Sequence, residues 1–331
     1  MPDLLTHAAF GEDVLQKIKS NQLKDILNQN KTLFLVGNQG PDIFFYYNFF
    51  RKKKTRIGHK MHRMHTGDFL IQSCETIMDI EYELHYNQLI SYIMGFICHY
   101  VLDKNAHPFV YNYSGYSFEK GEEKGIYDFE HAVIETCIDV YMWKKIKNRE
   151  AYKERAYQLI DLKKPLPKSV TQHLRTSICT LYGVNIEDKE INKAYRHFVW
   201  AWKLLYDPHD IKKRVISLLS RIKGKPIGLP KPLYPKDIDI CKPFLNLEKN
   251  TWSHPFDANF RFNDSFEEIY DLALDECSEM IQKLYINIKE RERINPNIIG
   301  NKSYLSNLTW DSAQNLATIE SKGFTTKGGK Q

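Results

Sequence analysis

Apolar positions recur at helical spacing over most of the chain. Phe10, Val14, Ile18, Leu23, Ile26 and Leu27 mark residues 3–30 as a helix or a helix pair, with Thr6 as its N-cap. An apolar run from Leu33 leads into a turn carrying Gly37, Gly40 and Pro41, which places Asp42 at the head of the next element, where helix capping is the ordinary use of such a residue. Further helices are expected over residues 68–81, 84–106 and 127–146, and then over 152–161, 167–182, 188–205, 209–223 and 265–291. The helix over 84–106 is apolar almost all round, the pattern of an element buried in a core. Pro108 disfavours helical geometry at His107, so this helix is expected to end there and to aim His107 into the following loop. Residues 111–128, with Gly115, Gly121 and Gly125, read as a loop long enough to border a site. Five prolines between Pro226 and Pro243 break regularity until about Phe262, and from Asn295 the chain reads as a loose tail. No repeat and no convincing run of strands is visible. The pattern predicts an all-α, multi-helical bundle, one domain over 1–292 with an irregular tail over 293–331.

Composition refines this picture little. The 331 residues are 42% hydrophobic and 13% aromatic, a globular balance, and the net charge of +6 is spread over 47 basic and 41 acidic residues. Such mild basicity carries no strong nucleic-acid signal. The sharpest basic cluster, Arg51 to Lys54, reads as a loop, and the aromatic run Phe44 to Phe50 as core. Six scattered cysteines without a C-x-x-C pair, and no charged-then-apolar leader after Met1, predict a cytoplasmic protein; no stretch is apolar enough to span a membrane.

Candidate chemistry lies in the first half, where eight of the 12 histidines fall at or before His131. His99, Asp103 and His107 stand four residues apart and therefore along one helical face; His131 and Glu135 repeat the spacing. An imidazole and a carboxylate in an otherwise apolar helix must be paired or metal-bound, because burying them alone is costly. Without a thiolate, this donor set suits zinc and related divalent ions. His59, His62 and His65 follow at steps of three and offer one or two further ligands or a solvated face. His209-Asp210 and the Trp252 to Asp257 stretch are weaker candidates for which capping and packing suffice. No nucleophile elbow, P-loop or dinucleotide glycine pattern is present.

Thr6-His7-Ala8, the turn from Gly37 to Asp42, the histidines after Gly58, and the two i, i+4 motifs together resemble the zinc-dependent bacterial phospholipase C family, in its variety lacking a secretion signal, across about residues 1–145. The resemblance implies an all-helical fold with two to three Zn2+ ions. It implies Asp42, one of His59 and His62, His99 and Asp103 around the first ion, His107, His131 and Glu135 around the second, and His7 with Asp103 at the third. The Gly-x-x-Met-His pattern favours His62 over His59, with His65 third. In the family the third ion also takes the amine of an N-terminal tryptophan; here, removal of Met1 would leave the Pro2 amine five residues from His7. Asp42 falls where the family places its general base, and Asp139 is either an outer partner orienting a ligand histidine or part of an exposed salt bridge. The implied activity is phospholipase C-like cleavage of a phospholipid head group, with a phosphoester substrate and a membrane surface as a peripheral partner, although no strong amphipathic anchor stands out. A nuclease or nucleotidase with a similar trizinc site is the alternative enzyme, and a non-catalytic helical protein in which metal merely staples the helices together is the alternative outside enzymes. Oligomeric state is not readable from the chain.

Overall fold

A computed structural model describes residues 3–46, 57–115, 126–223 and 233–309. In chain order the helices are α1 (Leu4–Lys17), α2 (Asn21–Gln29), α3 (Lys31–Gly37), α4 (Ile57–Arg63), α5 (Thr66–Met78), α6 (Glu83–Tyr113), α7 (Ile126–Lys147), α8 (Tyr157–Ile160), α9 (Lys168–Tyr182), α10 (Asp188–Leu205), α11 (Ile211–Lys223), α12 (Phe266–Glu290) and α13 (Pro296–Ile299). A 3-10 turn at Gly40–Tyr46 links α3 to the segment before α4. The fold is all-α, as the periodicity predicts, with one small exception. Strands β1 (Trp252–His254) and β2 (Asp257–Phe262) form an antiparallel hairpin with an irregularity after Ser253, and the Trp252 and Phe262 rings stack across it at 4.6 Å. A strand of three residues followed at once by Pro255 offers too little alternation to be read from sequence.

Helix α6 is the axis of the molecule. From Leu89 to Val110 all but Asn105 is buried, and α3 and α12 pack along it with α1, α5, α7 and α9 around. Its closest neighbour is α3. A Cβ on Gly95 would lie 2.1 Å from the Phe34 carbonyl oxygen, so only glycine lets the two backbones meet, and that approach carries the end of α3 up against His99.

The helix does not stop at Pro108. It runs on to Tyr113, with Pro108 inside it, so His107 stays in the helix and its Nδ1 lies 3.2 Å from the Asp103 carbonyl oxygen one turn back. A proline inside a helix costs ~3 kcal/mol. Beyond it, Phe109 and Val110 are fully buried, and the Phe109 ring meets Tyr113 at 4.5 Å, Trp252 at 5.6 Å and Phe266 at 5.8 Å. Burying two such side chains contributes ~3–6 kcal/mol, enough to carry the helix through.

The start of α1 also differs from the expected cap. Asp3, not Thr6, occupies the N-cap position, and its own side chain makes no capping bond. The backbone N–H groups of Leu5 and Thr6, which an N-cap side chain would ordinarily satisfy, instead donate to Asp139 of α7 at 2.9 and 2.8 Å. The tail is not loose up to Thr309. Ile294, Ile299 and Tyr304 are buried, and the Tyr304 N–H donates to the His62 carbonyl at 3.1 Å. The expected basic loop at 51–54 and residues 116–125 of the glycine-bearing stretch lie outside the described residues.

Candidate metal centre

Histidines from three helices, α1, α4 and α6, converge on the carboxylate of Asp103, which has no exposed surface. His7 from α1 places Nε2 at 3.2 Å from its Oδ1; His99, one turn back on α6, places Nε2 at 3.1 Å from its Oδ2. His62 from α4 and His107 from α6 approach the same Oδ2 at 3.8 Å. The 3-10 turn delivers Asp42, whose Oδ1 lies 3.2 Å from His62 Nε2. A second cluster lies further along α6. There His107 faces His131 of α7 with ring centroids 5.8 Å apart, and His131 Nε2 is 2.7 Å from Glu135 Oε1.

Three backbone carbonyls orient the imidazoles. The Nδ1–H of His99 donates to Asn38 O at 3.1 Å, that of His62 to Gly58 O at 2.7 Å, and that of His107 to Asp103 O at 3.2 Å. With Nδ1 carrying the proton, Nε2 of each ring offers its lone pair, the arrangement that second partners impose on metal-ligating histidines. The His7 and His99 rings stack at 4.3 Å, which keeps both edges turned toward Asp103.

The electrostatics are those of a cation seat. Burial pushes the Asp103 carboxyl upward, but His99 and His107 outweigh it and hold the group well below the usual carboxylate range. Asp42 is likewise lowered against its burial, by His62 and His99. Burial pushes His107 well below the ordinary imidazole value, and burial together with the neighbouring His99 lowers His7, so both rings are neutral and free to ligate. His99 goes the other way: burial opposes its charge, but Asp103 and Asp42 raise it.

Do these residues fit a metal ion? Both carboxylate oxygens of Asp103, Oδ1 of Asp42, Nε2 of His99 and both ring nitrogens of His7 are buried without a hydrogen-bond partner. Orphaned polar atoms of this kind are rare because each is costly to desolvate. Two donors on one tetrahedral zinc lie about 3.3 Å apart, given ligand bonds of ~2.0–2.1 Å. The 3.1 and 3.2 Å separations at Asp103 and the 3.2 Å separation between Asp42 and His62 match that edge. Three groups of donors, each within 4.8 Å of one another, have the composition of metal sites: His7, His99 and Asp103; Asp42, His62 and His99; His107, His131 and Glu135. The residues present therefore fit divalent metal.

All eight ligands expected from the sequence are brought into these groups. The others are not. His59 is exposed and its ring meets Phe45 edge-on at 4.9 Å; His65 sits in left-handed backbone before α5, with Nδ1 2.8 Å from Asp68. Asp139 is neither an outer partner of a ligand ring nor an exposed salt bridge: it is buried, takes the N–H groups of Leu5 and Thr6, and accepts the Tyr234 hydroxyl at 2.6 Å. Burial, then the nearby Asp3, push its carboxyl up to about 7. Asp42 caps no helix; the chain turns so that it faces His62. Pro2 lies outside the described residues.

Several supporting groups escaped the sequence reading. Tyr304 packs its ring against His62 and His99 at 5.1 and 5.7 Å from the stretch read as tail. Gly40, at φ +48, lies directly on the His99 ring, where a Cβ would come within 2.2 Å of Cδ2. The glycine was visible as a turn residue, but nothing in the sequence tells which ring it faces.

An all-helical protein that gathers imidazoles and carboxylates from five elements around buried, unsatisfied donors belongs to the class of helical metalloproteins. The sequence model of the zinc dependent phospholipase C family matches residues 6–178, from the first turn of α1 into α9. The chain belongs to that family, and its class is zinc hydrolase. No curated protein and no solved structure matched it in the corresponding comparisons.

Proposed function

We propose that this chain is a phosphodiesterase of the phospholipase C type, which hydrolyses a phospholipid between its glycerol and its phosphorylated head group. The observation that carries the reading is the family match lying over the buried donors centred on Asp103. Zinc held there supplies Lewis acidity toward phosphoryl oxygens and a nucleophile at neutral pH. The protein's part is placement. Asp103, fully buried and anionic, holds His7 and His99 in register, and the carbonyls of Asn38 and Gly58 keep their partner rings from turning.

Asp42 has a different position. Its side chain is 13% exposed, against none for Asp103, so it is the carboxylate that an incoming water can reach. Held anionic below the usual range, it accepts the water's proton as the oxygen attacks phosphorus, and the glycerol oxygen leaves with the electrons of the broken P–O bond. His131, 18% exposed, gives the second cluster an open side as well. A purely structural site would be closed.

The test is turnover of phosphatidylcholine, with single-stranded DNA and nucleotides as competing substrates and zinc content measured on the same samples. The reading expects release of the phosphorylated head group, lost in His99→Ala. Hydrolysis of DNA without lipid hydrolysis, activity surviving in His99→Ala, or a protein binding less than one ion per chain would each overturn it.

A further inference from the structure

Helix α11 has an apolar face that stays largely exposed among the described residues. Ile211, Val215, Leu218, Leu219 and Ile222 follow one another at helical spacing and form one stripe. They are 61, 50, 58, 42 and 72% exposed. The helix is held to the protein by a different side. Lys212, Ile216 and Ser220 are half-buried, the Lys212 ammonium donates to the carbonyls of Leu204 and Tyr206 at 2.6 and 2.8 Å, and the Lys213 N–H donates to Asp207 at 3.0 Å. The stripe thus points neither into the core nor along the seam with α10. On α10 itself, Trp200 and Leu204, one turn apart, are 48 and 42% exposed. Among the described residues no helix is long and apolar enough to cross a membrane, so a lipid contact would have to lie along the surface.

Charge selects the occupant. No acidic residue occurs between 211 and 223, whereas Arg214 and Arg221 occupy the exposed flank beside the stripe. Two copies pairing through this stripe would bring like charges together without compensation. An anionic lipid surface does the opposite: apolar side chains enter the boundary between head groups and acyl chains, and the long basic side chains reach up to the phosphates. We propose that α11 docks this protein flat on an anionic membrane surface. The docking rests on the geometry of α11 alone and holds even if the metal centre acts on another phosphoester.

The experiment is co-sedimentation of the zinc-loaded full chain with vesicles of phosphatidylcholine, with and without phosphatidylserine. Binding is expected to be stronger to the vesicles containing phosphatidylserine and to weaken with salt. Charge reversal in the double variant Arg214→Glu, Arg221→Glu is expected to lower the partition coefficient about thirtyfold or more. The polar double variant Leu218→Ser, Ile222→Ser is expected to lower it about tenfold or more on both vesicle types. Both pairs are exposed and sit on a helix that carries none of the candidate ligands, so thermal melting and turnover of a short-chain, monomeric phosphodiester are expected to match the wild type. Failure of that soluble turnover in the wild type would strike at the proposed activity and leave the docking intact. Equal vesicle binding by wild type and both variants would overturn the docking, as would absent vesicle binding together with a dimer, seen by analytical ultracentrifugation, that the Leu218→Ser, Ile222→Ser variant loses.

Discussion

Gly40→Ala is the substitution that most directly tests whether backbone packing places the ligand rings. Two effects separate cleanly. The residue sits at φ +48, and an L side chain in left-handed backbone costs about 1–2 kcal/mol. The added Cβ would also lie 2.2 Å from Cδ2, 2.5 Å from Cγ and 2.8 Å from Nε2 of His99. Restoring ordinary contact requires the ring to withdraw by about 1 Å, several times the ~0.2 Å within which metal-ligand distances hold. Overpacking of this sort adds about 1–3 kcal/mol, so the expected loss of stability is about 2–5 kcal/mol, with zinc affinity down about 10–100-fold. Gly183→Ala is the matched control: φ is +63 there, but nothing lies within 4 Å of the added Cβ. It should lose only about 1–2 kcal/mol and keep its zinc. Urea unfolding and zinc titration against a competing chelator measure both quantities. If Gly40→Ala binds zinc as the wild type does and is destabilised no more than Gly183→Ala, the backbone of the turn does not set the position of His99.

Two further outcomes follow from buried groups outside the ligand set. His173 is held down to about 4 by burial, with Nε2 2.8 Å from the Ser73 hydroxyl, against an ordinary value of 6.5. Because the unfolded chain takes up this proton first, stability is unaffected above about pH 6.5 and falls by about 2–3 kcal/mol toward pH 4.5. Urea unfolding at the two ends of that window should show His173→Gln losing correspondingly less than the wild type, and an unchanged difference would refute the assignment. Asp139→Ala strands the N–H groups of Leu5 and Thr6, two residues and one residue before His7. Each stranded donor costs about 1–3 kcal/mol, so a total near 2–6 kcal/mol is expected, with faster amide exchange at Leu5 and Thr6 and lower zinc content. Amide exchange equal to the wild type would show that Asp139 does not hold this helix end.

The parts of the site legible in sequence are those whose geometry is local. His99, Asp103 and His107, and separately His131 and Glu135, share a helical face by spacing alone, and any helix over these residues delivers them together. His62 was separable from His59 and His65 only through a family pattern, since a step of three leaves all of them near one face; in the structure, the Gly58 carbonyl and Tyr304 single out His62. The helix stop at Pro108 failed because a local steric rule was outweighed by the burial of Phe109 and Val110, which depends on α12 and the hairpin. Thr6 failed as a cap for a related reason: the capping oxygen comes from Asp139, 133 residues away in the chain.

By itself, then, the sequence determined an all-helical fold and where most of the metal donors lie, because hydrophobic period and ligand spacing are properties of single helices. Tertiary structure decided the rest. It chose which carbonyl turns each imidazole, made Asp103 the common neighbour of four histidines, and brought Tyr304 from an apparent tail to the back of the site. It also decided the standing of α11. The sequence predicts a helix there without any strong amphipathic anchor standing out, because a helical period records only that a stripe exists. Whether other helices cover that stripe depends on how the whole chain packs, and here none among the described residues does.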